Sequence, residues 1–373
     1  MLVLITGGAG FIGSHTADAL LRKGHEVRVL DSLEEPVHRG GQPPKYLSKE
    51  IEFIKGDVRD EAVLLSSLRG VDAVYHLAAY QDYLPNYSRF YTTNVASTAM
   101  IYELIEREKL GIQKVIVASS QAAAGEGLYL DPEGHRVLPG LRSNEQLAQS
   151  IWEIQPAEGT DGPLRWTQTD ETVANPQNPY GMSKIAQEQA ALNLGRRCGV
   201  PSVAMRYSIV QGPRQSFYNA YSGACRIFCL SFHFGREPMI YEDGQQVRDF
   251  VNIDDVVDAN LRVLEDDRAN YEMFNVGGGK AVTVSEFAEA VARVFGVNDY
   301  EATSCGKYRF GDTRHIFSDI SKLQALGWSP RRTVEDSVTA YRNWLLTEDA
   351  SEDILDYGNR QMAKLGVVRD VSG

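Results

Sequence analysis

The opening run of the chain leaves little choice of fold. "LVLITGGAGFIGSHTADALLRKG", residues 2–24, sets out a short β-rich apolar run, then Gly7, Gly10 and Gly13, then a helical stretch. Gly7 permits a tight turn, Gly10 lets backbone approach a pyrophosphate, and Gly13 lets helix and strand pack closely. The helix N-terminus then offers free N–H groups and a positive dipole end to phosphates. Three glycines alone are a weak signal. Here they follow a strand, open a helix and precede an acid, Asp31, at the end of the second apolar run, which reads as a dinucleotide loop rather than a structural turn. A carboxylate at Asp31 accepts hydrogen bonds from both ribose hydroxyls and repels a 2′-phosphate, and no arginine directly follows it, so the expected cofactor is NAD rather than NADP. Asp57, in "KGDVRD", ends the third run. It either meets an adenine amino group or caps the helix that follows.

The rest of the first two hundred residues continues the alternation. Strands are predicted at 2–6, 26–30, 51–56, 72–78, 114–119 and 202–207, with helices near 11–23, 60–69, 92–109 and 179–198. Near-continuous Val/Ile/Leu strands separated by helices define an α/β fold, a Rossmann doubly wound parallel sheet with helices on both faces. Residues 128–172 break the rhythm. They are Pro/Gly-rich and polar, with one helical piece near 143–152, and read as an insertion rather than a domain. Beyond 208 helices are expected near 220–234, 254–265, 283–296 and 333–347 and in the tail, forming a smaller α/β substrate-binding domain. The expected division is 1–208 for the nucleotide-binding domain, with insertion 128–172 and a returning segment 248–275, and 209–247 with 276–373 for the second.

Composition removes several function classes. The 373 residues carry a formal net charge of −12, against sequence-independent binding to nucleic acid or an anionic membrane. The N-terminus lacks a basic leader and no apolar run reaches membrane-spanning length, which predicts a cytoplasmic protein. Four scattered cysteines, Cys198, Cys225, Cys229 and Cys305, read as reduced thiols. Cys225, Cys229 and His233 share a helical spacing, but one straight helix cannot wrap three ligands around an ion, so core packing and no metal are expected.

The chemistry lies in "NPYGMSKIAQEQ", which puts Tyr180 and Lys184 one helical turn apart on one face. An adjacent ammonium, with a cationic nicotinamide ring, favours phenolate and pulls the tyrosine pKa toward neutrality. Phenolate can take a proton from a sugar hydroxyl as hydride leaves its carbon.

With "TGGAGFIG", "HLAA" (76–79), "TTNVAST", "ASSQ", "YGMSK", "RYSIVQGPRQ" (206–215), "RDFVNIDDV" (248–256), "FNVGGG" (274–279) and "RFGDTRHIFSDISK" (309–322), the chain resembles the extended short-chain dehydrogenase/reductases of the NAD-dependent nucleotide-sugar epimerase/dehydratase family. The resemblance covers most of the chain. It implies that Ser120, Tyr180 and Lys184 are catalytic and that Ser119 lies against the nicotinamide. It implies that Phe11, Ile12, Val58, Leu77, Ala78, Ala79, Asn94 and Tyr207 join Gly7, Gly10, Gly13, Asp31 and Asp57 around NAD. Gln81 would meet the substrate, with Arg248, Arg309 and Asp312 holding its nucleotide diphosphate. Arginine forks suit phosphates. The family also implies a homodimer through a four-helix bundle, for which Ala96, Ile101, Leu104, Ile185, Ala190 and Leu194 supply an apolar stripe.

Three features depart from common family patterns. Ala123, Ala124 and Gly125 replace V-Y-G, Ser208 and Ile209 replace F-N after Arg206 and Tyr207, and the Ser120–Tyr180 spacing is lengthened by the insertion. With "GEGLY" and the later "W-E", the chain is most similar to the dTDP-L-rhamnose 4-epimerase group. Family dehydratases place Asp and Glu directly after the catalytic hydroxyl, where this chain has Gln121 and Ala122. An amide does not donate a proton as a carboxylic acid does, so elimination loses its acid–base help. The expectation is an NAD-dependent nucleotide-sugar epimerase acting at C4, on a dTDP-6-deoxyhexose or a UDP-hexose. A dehydratase, decarboxylase or ketoreductase of the same family, and a non-catalytic NAD-bound regulator, stay open on the sequence.

Overall fold

The computed structural model describes residues 1–82, 84–156, 162–218, 223–350 and 353–371. Seven parallel strands form the central sheet: β1 (Leu2–Thr6), β2 (Glu26–Asp31), β3 (Glu52–Lys55), β4 (Ala73–His76), β5 (Lys114–Ser120), β6 (Ser202–Tyr207) and β7 (Met273–Val276). Their order is β7-β6-β5-β4-β1-β2-β3. The chain reverses its direction of travel between β1 and β4, which opens a crevice at their carboxyl ends. Register brings Thr6 beside His76 and Ser120 beside Tyr207, so the strand-end polar residues share one edge of the sheet.

The strands alternate their side chains between two apolar layers, as a sheet buried on both faces requires. Val3, Ile5, Tyr75 and Ile116 pack on one side against α1 (Phe11–Arg22) and the helix Ile253–Glu265. Leu4, Val74, Val115 and Val117 pack on the other against α2 (Glu61–Leu68), α3 (Ser97–Glu108) and α4 (Pro179–Cys198). A separate apolar cluster, built on Phe228, Phe250, Phe287 and Tyr341, forms the core of the second lobe. Cys225 and Cys229 are buried within it, with sulfurs 3.8 Å apart, while His233 is exposed.

Several expectations change in detail. The edge strand β7 is not among the predicted strands, because Asn275 interrupts its apolar run after Met273 and Phe274. The strand Val247–Asn252 joins a small three-stranded sheet with Ile209–Gln211 and Ala281–Thr283 instead of the central one. The expected helix near 92–109 begins as a π-helical turn, Tyr91–Ala96, before α3. The helix expected near 220–234 is Ala224–His233, and residues 219–222 lie outside the described residues. The insertion is more ordered than its composition suggests. Leu128–Leu130, Arg136–Val137 and Arg165–Thr167 make a three-stranded antiparallel sheet, and its helix is only Asn144–Ala148. Ile101 and Leu104 are fully buried beneath the sheet and leave the proposed dimer stripe, whereas Ala96 is exposed and Ile185, Ala190 and Leu194 are half-buried.

Candidate active site

The loop after β1 has the shape its glycines predict. Gly7 has φ +69°, and a Cβ there would lie 2.7 Å from the Ala78 nitrogen. A Cβ on Gly13 would lie 2.4 Å from the Gly7 carbonyl oxygen. Gly10 is the N-cap of α1 and no side chain caps it, which leaves the first N–H groups of α1 to an outside acceptor. Asp31, buried at the end of β2, accepts from Ala9 N–H at 3.0 Å and Leu33 N–H at 2.9 Å, and faces His38 at 3.8 Å. Asp31, Asp57, Val58, Leu77, Ala78 and Ala79 line one cleft of about 540 Å³. Of the two roles open to Asp57, the helix cap falls to Asp60, which accepts from Ala62 and Val63 N–H. Asp57 instead grips Arg59, whose hydrogen bonds hold its carboxyl below the usual range. This cradle, with an uncapped helix end and a carboxylate at the second strand end, fits NAD.

Tyr180 stands in the first turn of α4. Asn178 caps that helix by accepting from Gly181 N–H at 2.8 Å, and Pro179 fits its first turn. Ser120 ends β5 and leads into a 3-10 turn, Gln121–Ala124, which it caps through Ala122 N–H. Gly181 lets the turn and helix touch, for a Cβ there would sit 2.4 Å from the Ala122 carbonyl oxygen. The result is a hydrogen bond between Ser120 and the Tyr180 phenol. Lys184 is 1% exposed, donates to the Ala118 carbonyl and to Gln187 Oε1, both at 2.8 Å, and lies 5.6 Å from the Tyr180 ring centre.

Burial governs both ionisations. It pushes Tyr180 up to about 12 against the pull of Ser120, and lowers Lys184 to about 7 against the charge of Glu188. Burial therefore outweighs the phenolate-favouring effect expected of Lys184. His76, beneath this group, is held between Thr6 Oγ1 and Ser97 Oγ at 2.8 and 2.9 Å and is kept neutral by burial, which lowers it to about 3.

Two expected cofactor contacts sit differently. Consecutive strand residues face opposite ways, so Ser119 lines the cleft wall but gives its hydroxyl to Glu188. Asn94 is fully buried behind the wall, where it joins the Tyr80 backbone to Ser183 on α4 at 2.7–3.1 Å. Tyr207 lines the cleft with its phenol on Asn260 at 2.7 Å. The sequence reading also missed the support of the reacting group. Glu188 forks onto Arg206 at 2.6 and 2.8 Å, and Gln187 passes the Lys184 contact on to Thr98 at 3.1 Å. The signal was available, since Tyr180, Lys184 and Glu188 share one helical face.

A cleft of about 760 Å³ joins the glycine loop to the reacting group and the arginines, while Asp31 and Asp57 line the adjoining cleft. Gly7, Gly10, Phe11, Ile12 and Gly13 line one end, Ser120, Gln121, Tyr180 and Lys184 the middle, and Arg248, Arg309 and Asp312 the other end, with Gln81 at its side. Arg248 donates to the Val247, Thr313 and Arg314 carbonyls at 2.6–3.0 Å. Arg309 is paired with Asp312 at 2.6 Å and lies 5.1 Å from the Tyr241 ring centre. Glu126, also missed, lines the same cleft at 1% exposure and is lifted to about 7 by burial, against the pull of Arg142.

A dinucleotide cradle, a hydroxyl–phenol–amine group and an arginine-bearing second lobe along one cleft define a dinucleotide-dependent enzyme that oxidises or reduces an anionic substrate. The sequence pattern of the NAD dependent epimerase/dehydratase family matches residues 3–146 and 153–277, and the chain belongs to that family. It is 31% identical over 353 residues to a dTDP-L-rhamnose 4-epimerase of Burkholderia thailandensis, covering 93% of this chain and 95% of that one. It is 29% identical to a putative UDP-glucose 4-epimerase of Methanocaldococcus jannaschii, covering 92% and 98%. Among solved structures it is similar to a Thermotoga maritima UDP-glucose 4-epimerase with UDP-glucose, at TM-score 0.75 and 29% identity over 93% and 99% of the two chains. Among the described residues no helix is long and apolar enough to cross a membrane.

Proposed function

We propose that the protein is an NAD-dependent nucleotide-sugar 4-epimerase, acting on a dTDP-6-deoxyhexose or UDP-hexose in the cytoplasm. The observation that carries this reading is the single cleft joining Gly7–Gly13 to Ser120, Tyr180 and Lys184 and on to Arg248 and Arg309. The names of the similar enzymes agree with it. Gly7, Gly10, Gly13 and Asp31 would hold NAD, which when bound supplies the acceptor and donor of hydride. Tyr180 takes the proton of the C4 hydroxyl and later returns it, through a phenol already hydrogen-bonded to Ser120. Lys184, fixed by Ala118 and Gln187, stands beside that phenol and favours phenolate in its protonated form. Arg248 and Arg309 bind the diphosphate from the far end and leave the sugar free to present either face. Small side chains at Ala122 and Ala123 and the amide of Gln121 offer no acid for elimination.

The test is a reaction in deuterium oxide with the product read by mass spectrometry and NMR. A C4 epimer of substrate mass without carbon-bound deuterium is expected. Deuterium at C5 or C6 would show elimination, and sink the reading. A homodimer through α3 and α4 belongs to the same proposal, supported by the half-buried Ile185 and the exposed Met182 on the outer side of α4. No role for nucleic acid or membrane is proposed.

A further inference from the structure

The insertion meets the second lobe through a lattice of charges, buried at Arg142, Glu242 and Arg314 and exposed at Glu153, that the chemistry above does not use. Arg142, from the insertion, forks onto Glu242 at 2.9 and 2.8 Å, and also donates to the Trp152 and Asp312 carbonyls at 2.9 and 2.8 Å. Arg314 answers from the other side, holding Glu153 of the insertion at 2.6 Å, Asp243 at 2.7 Å and Glu242 at 3.2 Å. Val247 N–H donates to His315 Nδ1, so Nε2 carries the proton and donates to Glu153 at 3.1 Å. The hydrogen bonds from His315 and Arg314 pull Glu153 down to about 2, so it stays a carboxylate. The side chains of Arg142, Glu242 and Arg314 are only 1–2% exposed.

Buried ion pairs of this kind are a weak source of stability, because desolvation consumes most of the attraction. What this lattice does fix is the turn at 312–314. The carbonyls of Thr313 and Arg314 hold the Arg248 guanidinium at 2.6 and 3.0 Å, and the Asp312 carboxylate holds Arg309 at 2.8 Å. Arg314 N–H is itself pinned to Glu126 at 2.6 Å. Both arginines at the far end of the cleft therefore rest on a turn gripped by the insertion.

We propose that the insertion is a clamp that positions Arg248 and Arg309 for a nucleoside diphosphate, with Arg142 and Glu153 as its positioning residues. This rests on the nucleotide-sugar reading. The test uses the full chain, titrated with UDP and with dTDP, alongside NAD content, kcat and KM. Arg142→Met should weaken binding of the preferred nucleoside diphosphate about 10- to 100-fold and raise KM in parallel, because sub-ångström misplacement of a clamp is felt mainly in binding and orientation. Its NAD content and kcat should stay close to wild type. Arg142→Lys, which keeps the charge but not the fork, should recover part of the loss. Glu153→Gln should give a smaller effect of the same kind, since Arg314 keeps Asp243, and it preserves the test if Arg142→Met fails to fold. Arg136→Met, at an exposed pair with Asp170 elsewhere in the insertion, should change nothing. Wild-type UDP and dTDP affinities in folded Arg142→Met and Glu153→Gln would overturn the clamp. So would parallel losses of NAD, kcat and thermal stability, which mark a merely structural role. A wild-type protein that binds neither nucleotide would overturn the underlying reading instead, and that result appears before any variant is made.

Discussion

Gly181→Ala isolates the contact that brings the reacting hydroxyls together. Position 181 is helical and near the start of α4, where alanine is intrinsically the better helix former by about 1 kcal/mol. Propensity alone therefore predicts stabilisation. The structure predicts the opposite, because the new Cβ would lie 2.4 Å from the Ala122 carbonyl oxygen and 3.1 Å from the Pro176 Cβ. A close carbon–oxygen contact is about 3.3 Å, so α4 and the Gln121–Ala124 turn must part by about 0.9 Å. The oxygen belongs to backbone and has no rotamer by which to escape. Overpacking of this kind costs about 1–3 kcal/mol. Catalysis should suffer more than stability. Ser120 caps the displaced turn while Tyr180 stays in α4, so their hydrogen bond lengthens. Misplacement by about 1 Å is worth about 100-fold, and kcat should fall by that order while the protein keeps its NAD. Urea unfolding gives the stability change, steady-state turnover on the epimerised sugar nucleotide gives kcat, and absorbance of the denatured extract gives NAD. Gly111→Ala, at a glycine with open space around it, is the control. Wild-type kcat in Gly181→Ala would refute the claim that this contact sets the Ser120–Tyr180 geometry.

Asp31→Ala should leave a folded protein that purifies with much less NAD, because the ribose loses its acceptor. NADP in the extract of the wild type would contradict the assignment of cofactor. Glu126→Gln tests burial as the cause of a raised acid. The folded protein keeps the Glu126 proton up to about 7, whereas the unfolded chain releases it near the ordinary value of about 4.3. Stability from that proton is therefore present below about pH 4 and is lost as pH rises toward about 7. Wild type should lose stability relative to Glu126→Gln between pH 5 and pH 8 in urea midpoints, and parallel curves would count against it. Met182→Glu places a charge on the outer side of α4, where Met182 is 45% exposed. Light scattering should show twice the 41.4 kDa chain mass for wild type and a monomer for the variant. A wild-type monomer would remove the proposed interface.

The central sheet was legible because its information is local. Each strand is a continuous apolar run and each helix repeats apolar residues at helical spacing, so six of the strands could be placed within a few residues. β7 escaped because Asn275 interrupts its apolar run, and as an edge strand it pairs with β6 alone. The insertion escaped for a related reason. Its strands are two or three residues long, and the order of residues 128–156 and 165–167 depends on partners far along the chain: Arg142 on Glu242, Glu153 on Arg314 and His315, Trp166 on His315. A polar, Pro/Gly-rich stretch looks like loose chain until the partners of Arg142 and Glu153 are in place.

The site divides along the same line. Gly7, Gly10, Gly13, Asp31, Tyr180 and Lys184 could be named because strand-end position and a one-turn spacing fix where they point. Asn94 and Ser119 were assigned to the cofactor by resemblance, and there the local geometry gives their side chains protein partners that the sequence did not show. The π-helical turn carries Asn94 inward to Tyr80 and Ser183, and strand alternation gives Ser119 to Glu188 while Ser120 meets Tyr180. The substrate end is the least legible part. Arg248 and Arg309 are visible as arginines, but whether an arginine can hold a phosphate depends on which of its donors are already taken. Three backbone carbonyls anchor Arg248, and one carboxylate anchors Arg309. All of these anchors but the Val247 carbonyl belong to the 312–314 turn, which the insertion meets through Arg142 and Glu153. On the proposed clamp, an insertion that shifts the 312–314 turn would move the same two guanidinium groups.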